Sequence, residues 1–158
     1  MQQANEASGA QHMWRQFKNI LHSVQTYADL SPDLEVRRSV QESLGDRPAL
    51  SPTEWFEQLW RPLGVSPETA DFAYRHLEIY SGLPLAQVRP GDRLHEDLKW
   101  TLVCWFDWEE ALCDDFRDCF AVDIYDSLGL NLFVTVAELV CFLEQQRQAA
   151  DSLPSAGV

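Results

Sequence analysis

Four carboxylates, Asp107, Glu110, Asp114 and Asp118, recur at intervals of three and four residues. In a helix that spacing brings all four to one face. Glu109 and Asp115 thicken the cluster. Carboxylates this dense can hold a metal ion, attract the Lys and Arg side chains of a partner, or simply keep a face solvated. A calcium loop needs alternating oxygen ligands and a glycine at its central bend, and this segment has neither. Attraction of a basic surface needs only exposure, since such a face speeds association and loses that advantage as salt screens it.

The remaining reactive side chains are dispersed. His12, His22, His76 and His95 stand apart in the chain. His95 is flanked by Glu96 and Asp97, which favour its charged form, but no nucleophile or paired base adjoins it. Cys104, Cys113, Cys119 and Cys141 form no C-x-x-C pair and lack zinc-site histidine spacing, so they are expected to be reduced thiols. No phosphate-binding glycine loop, nucleophile elbow or H-E-x-x-H motif occurs. The expectation is a non-enzymatic protein with no catalytic residues, no metal and no cofactor.

The elements that must position these residues read as helices. Apolar residues from Met13 to Val24 keep a spacing of three and four, predicting a helix over His12–Tyr27 after a disordered first ten residues. Ser31-Pro32 and Ser66-Pro67 each read as a capping serine followed by proline at the first helical position. Ser51-Pro52-Thr53-Glu54 adds a capping box. The helix from Pro32 carries Leu34, Val36, Val40 and Leu44 and stops at Gly45, that from Pro67 runs to a cap at Gly82, and Val134 to Gln148 forms the last. Leu85 and Val88 are expected to tuck inward from the connection between Pro84 and Gly91. Trp105, Trp108, Leu112, Phe116 and Phe120 share a stripe opposite the acids, predicting one helix over Trp105–Phe120. Trp100, Trp105 and Trp108 are expected mostly in the core, and Trp55 and Trp60 are expected to fasten the N-terminal helices to the rest. Strand signals are weak, with Trp100–Phe106 the one ambiguous run, and the fold class is all-α.

Composition sets the boundaries. The 158 residues carry a formal net charge of −13 and 46% hydrophobic residues. That apolar content supplies a core, and the charge disfavours nucleic acid and anionic membrane as partners. Residues 1–65 hold eight acids and six bases, whereas residues 66–150 hold sixteen and six. The asymmetry predicts an N-terminal helical extension over 1–65, a helical bundle over 66–148 and a flexible tail over 149–158. With no signal-like segment or long apolar run, a soluble cytoplasmic protein is expected.

Three phrases resemble the acyl carrier protein family. Tyr80-Ser81-Gly82-Leu83-Pro84 followed by Val88-Arg89-Pro90-Gly91-Asp92-Arg93-Leu94-His95-Glu96-Asp97-Leu98 is similar to the end of a carrier's first helix and its long loop. Leu112, Phe116 and Phe120-Ala121-Val122-Asp123-Ile124 resemble the second helix and the step that ends it. Thr135-Val136-Ala137-Glu138-Leu139-Val140 resembles the opening of the terminal helix. The resemblance covers about half the chain and looks nearest to short bacterial carrier-like proteins of the DUF1493 type. It implies an acyl-carrier-like helical bundle over 66–148 and a partner-docking role for Asp107, Glu110, Asp114 and Asp118 against a basic protein surface.

The chain departs from the family where a carrier holds its prosthetic group. The phosphopantetheine serine belongs at the start of the second helix, where free N–H groups and the helix dipole favour a phosphodiester. Here that stretch reads Leu98-Lys99-Trp100-Thr101-Leu102-Val103-Cys104-Trp105-Phe106-Asp107, longer by about four residues and without serine. Thr101 offers a hydroxyl in an apolar run. Asp126-Ser127-Leu128 matches the carrier tripeptide but comes after the second helix. The leading expectation is an adaptor without a prosthetic group, and the alternative is a divergent acyl or peptidyl carrier bearing 4'-phosphopantetheine on Ser127.

Overall fold

A computed structural model describes residues 32–129 and 132–153. The helix expected over His12–Tyr27, the polar first ten residues and Ser31 lie outside the described residues. Those described form seven α-helices and no strand, so the fold is all-α. They are α1 (Leu34–Leu44), α2 (Pro52–Trp55), α3 (Pro67–Ser81), α4 (Trp100–Val103), α5 (Trp108–Phe120), α6 (Tyr125–Gly129) and α7 (Val136–Asp151).

Local chemistry sets most of the boundaries. Ser51 and Glu54 form the expected capping box, with Pro52 at the first position of α2. α2 runs on through a π turn at Phe56–Trp60 and a 3-10 turn at Arg61–Leu63, and ends at Gly64 with φ of 79°. Ser66 caps α3, and Gly82 closes it with φ of 67°. α1 differs from expectation at its start: the cap is Asp33, whose carboxylate accepts from the N–H groups of Glu35 and Val36. A carboxylate there meets both the unpaired N–H groups and the positive end of the dipole. The terminal helix begins at Val136, two residues later than expected, because Thr135 and Glu138 form a second capping box. It continues to Asp151, three residues past the expected end.

The helix expected over Trp105–Phe120 begins three residues later, at Trp108, and runs unbroken to Phe120. α4 is a separate turn entered through Lys99 at φ of 52° and left through extended Cys104. The Trp105 N–H then bonds to the Tyr80 carbonyl at 3.3 Å, leaving the 104–107 segment outside any helix. Trp100 is buried as expected and meets half-buried Trp108 edge-on, at 5.8 Å between centroids. Trp105 instead is 48% exposed.

The described residues from Pro32 onward fall in one compact unit, which includes residues 32–65. Trp55 and Trp60 are fully buried in the same core as Leu77, Leu112, Phe116 and Leu139. The Trp55 indole donates to the Val88 carbonyl at 3.1 Å, which fastens α2 to the long loop after α3. Removing so large a buried ring typically costs about 3–5 kcal/mol. The same loop buries Leu85, Val88, Leu94 and Leu98. Its buried Asp92 takes two bonds from the Arg47 guanidinium, at 2.7 and 2.9 Å, and one from the Arg89 N–H at 2.7 Å. Those bonds to Asp92 raise the Arg47 pKa, against the opposing effect of burial.

The loop also supplies acceptors to the start of α7. The Val136 N–H bonds to the Asp92 carbonyl and the Ala137 N–H to the Pro90 carbonyl, at 3.0 and 2.9 Å. These are donors a helix cannot satisfy internally. The pairing of Leu94 N–H with Val134 C=O at 2.9 Å completes the seam and brings residues 93–96 beside 132–134.

Candidate docking surface

α5 carries the acidic stripe. Its apolar side puts Leu112 and Phe116 fully into the core with buried Cys113 beside them. The opposite side therefore faces solvent, and Asp107, Glu110, Asp114 and Asp118 are all exposed. Glu109 and Glu110 in the first turn and Arg117 in the last both suit the helix dipole. Arg117 pairs with Asp114 at 2.6 Å. Among the described residues, Asp107, Glu110 and Asp118 have no cationic partner, so the stripe presents a net negative field.

Asp115 leaves that face. It lies roughly 80° round the helix from Asp107, on the side toward α3. There it accepts from the Tyr80 hydroxyl at 2.5 Å and lies 3.1 Å from His76 Nδ1. The angular offset was readable from spacing alone, but the partners that capture Asp115 were not.

Three hollows adjoin α5. The first, about 380 Å³, is a groove walled by Leu94, Trp100, Trp108, Leu128 and Phe133, with Thr101, His95, Glu96 and Glu109 at its edge. The second, about 250 Å³, lies among Phe106, Asp107, Glu110 and Tyr125. The third, about 370 Å³, is lined by Glu110, Asp114, Asp123 and Asp126 with Arg117. Phe106 and Tyr125 are 62% and 61% exposed, and neither belongs to the sequence-derived site. Their only sequence signal is an aromatic residue standing directly beside an acid.

The two hydroxyls weighed as attachment points are placed differently. Thr101 is exposed on the four-residue α4. Ser127 is the third residue of the five-residue α6, half-buried, and neither opens nor caps it. The Asp123 carboxylate accepts from the Tyr125 N–H at the start of that helix, and Asp126 adjoins Ser127. A phosphodiester on Ser127 would have the carboxylates of Asp126 and Asp123 close by in the chain, which oppose its negative charge.

Among the described residues no three His, Cys, Asp or Glu side chains converge to hold a metal ion. Cys104, Cys113, Cys119 and Cys141 are unbridged. Burial pushes the Cys113 thiol up to about 11, with the neighbouring acids Asp123, Asp114 and Glu109 adding to the effect. Such a thiol is a poor nucleophile near neutral pH. No described helix is long and apolar enough to cross a membrane. No protein-family model, curated protein or solved structure matches the chain.

Proposed function

We propose that this chain is a non-enzymatic, carrier-like adaptor that docks a basic protein surface through the acidic face of α5 and bears no prosthetic group. One observation carries the reading. Glu110, Asp114 and Asp118 stand exposed on a helix whose other side is locked in the core, with exposed Asp107 just before its first residue, and their one cationic neighbour on that helix, Arg117, is already paired. A fixed array of carboxylates steers a basic partner without any rearrangement of its own.

The order of elements supports the carrier-like part. A long α3 closed by Gly82, a loop with buried Val88, Leu94 and Leu98, then α5, short α6 and terminal α7 opened by Thr135, follow in the sequence the resemblance implies. Where a carrier opens its second helix on serine, this chain has α4 and the 104–107 break. Four unbridged cysteines fit a reducing cytoplasm. The net charge of −13 favours a basic protein over nucleic acid as the partner.

Intact mass after co-expression with a phosphopantetheinyl transferase tests the adaptor reading. The expected mass is that of the unmodified chain, and a gain of one phosphopantetheine group would establish a carrier instead. For docking, immobilised chain is expected to capture a basic partner from lysate, and Glu110→Lys combined with Asp114→Lys to lose it. Equal capture by both chains would reduce the stripe to a solvated face.

A further inference from the structure

The three hollows beside α5 adjoin one another in a row, a trough divided by the residues they share. Glu109 and Leu128 line both the first and the second, and Glu110, Cys113 and Tyr125 line both the second and the third. One end is apolar, walled by Trp100, Trp108, Leu128 and Phe133. At the other end Glu110, Asp114, Asp123 and Asp126 surround Arg117, which Asp114 already pairs. Trp108 and Asp114 are separated by a helical rise of ~9 Å. A single short segment of a partner can therefore reach both ends.

Resting on the docking reading of α5, we propose that this trough binds a basic amphipathic helix of a partner protein. One aromatic or long aliphatic side chain enters the groove beside Trp108. Lys or Arg residues one and two turns further along the partner helix meet Glu110, Asp114, Asp123 and Asp126. Charge complementarity selects this occupant. A purely apolar chain would fill the groove and leave the carboxylates of the other two hollows unpaired. A nucleic acid or anionic lipid surface brings charge of the wrong sign. A flat basic surface would satisfy the acids but could not enter the groove, where burial of an anchor gives most of the affinity in such contacts.

The test uses an end-blocked, fluorescein-labelled helical peptide of about 16 residues with one Trp anchor and lysines one and two turns beyond it. One sister peptide has the anchor replaced by alanine, and another has the lysines replaced by glutamate. Anisotropy titrations with the full chain give the affinities, and the Trp108 indole signal of isotope-labelled chain reports the site. The parent peptide is expected to bind at least about tenfold more tightly than the alanine peptide and to shift the Trp108 signal, with no binding by the glutamate peptide. Equal binding of the parent and alanine peptides, with none by the glutamate peptide, overturns the groove and leaves the docking reading of α5 standing. Equal binding of the parent and glutamate peptides overturns both. Binding by none of the three overturns the proposal.

Discussion

The Tyr80 hydroxyl donates to Asp115 Oδ2 at 2.5 Å, and His76 Nδ1 lies 3.1 Å from the same oxygen. This contact ties α3 to α5 on the side away from the acidic stripe. It acts with the burial of Leu112 and Phe116 to hold α5 with Glu110, Asp114 and Asp118 turned to solvent. Burial first, then the hydrogen bond and charge of Asp115, hold the Tyr80 hydroxyl far above its ordinary value of 10.0.

That shift predicts an alkaline loss of stability. Above about pH 10 the unfolded tyrosine releases its proton and the folded one does not, so the unfolded chain binds fewer protons and folding weakens as pH rises. The slope from this one group approaches about 1.4 kcal/mol per pH unit. Tyr80→Phe removes the titrating group. Its urea-unfolding free energy is expected to be lower near neutral pH by about 1.5–3 kcal/mol, for a lost bond to a charged acceptor. Above pH 10 it should fall less steeply than that of the parent. Parallel decline of the two chains would show that Tyr80 ionises as freely when folded as when unfolded.

Glu144 predicts the opposite limb. It is buried, and burial alone would raise its pKa, but hydrogen bonds from Thr69, Ser66 and Gln148 hold it at about 2, below the ordinary 4.5. Ser66 Oγ and Gln148 Nε2 each lie 2.8 Å from it, and Arg147 lies 3.2 Å away. A depressed carboxylate contributes its stability above the unfolded value. Here the contribution is on the order of 3 kcal/mol. It is lost progressively as pH falls from about 4.5 toward about 2. Glu144→Gln is expected to lower stability at neutral pH and to flatten that acid limb in thermal melts. A variant with an unchanged acid limb would rule Glu144 out as its source.

The sequence made the helix ends legible where the deciding bonds are local. Ser51 and Glu54 bond within three residues of each other, so their types alone announce the cap, whereas the like pair Thr135 and Glu138 is passed over when apolar spacing puts the last helix's start at Val134. The break before α5 was not legible. Trp105 keeps the apolar spacing of the helix that follows, and what removes it is a tertiary bond to the Tyr80 carbonyl together with the left-handed turn at Lys99. The acidic stripe was readable because it belongs to one helix. The trough was not, because its walls come from segments far apart in sequence, brought together by tertiary contacts such as the Leu94–Val134 bond and the edge-on meeting of Trp100 with Trp108.

Two glycines with similar backbone angles are expected to respond differently to alanine. Gly64 and Gly82 both have positive φ, so an added Cβ strains each by about 1–2 kcal/mol. At Gly64 nothing lies within 4 Å of the new atom, whereas at Gly82 the Arg37 guanidinium lies 2.8 Å away. Arg37 bonds the Val103 carbonyl at 2.5 Å, holding α1 against α4. Gly82→Ala therefore adds displacement of that guanidinium to the backbone strain. Chemical denaturation should show Gly82→Ala to be the more destabilised chain. Equal losses would mean that Arg37 moves aside without cost.

Charge reversal on α5 is expected to change binding and leave folding intact. Glu110 and Asp114 are exposed, so Glu110→Lys with Asp114→Lys should cost only the helix-dipole contribution of Glu110 and the surface pair of Asp114 with Arg117, about 1–2 kcal/mol together, and leave the chain folded. A control must separate the stripe from net charge. Glu42→Lys with Asp46→Lys changes the total by the same amount, at exposed positions in and just after α1. Association rates with a basic partner should fall sharply for the α5 variant and only slightly for the control. The difference should shrink near 1 M salt, where screening acts over about 3 Å. Equal losses for the two variants would mean that the partner responds to the overall charge of the chain and that the α5 face holds no special position in docking.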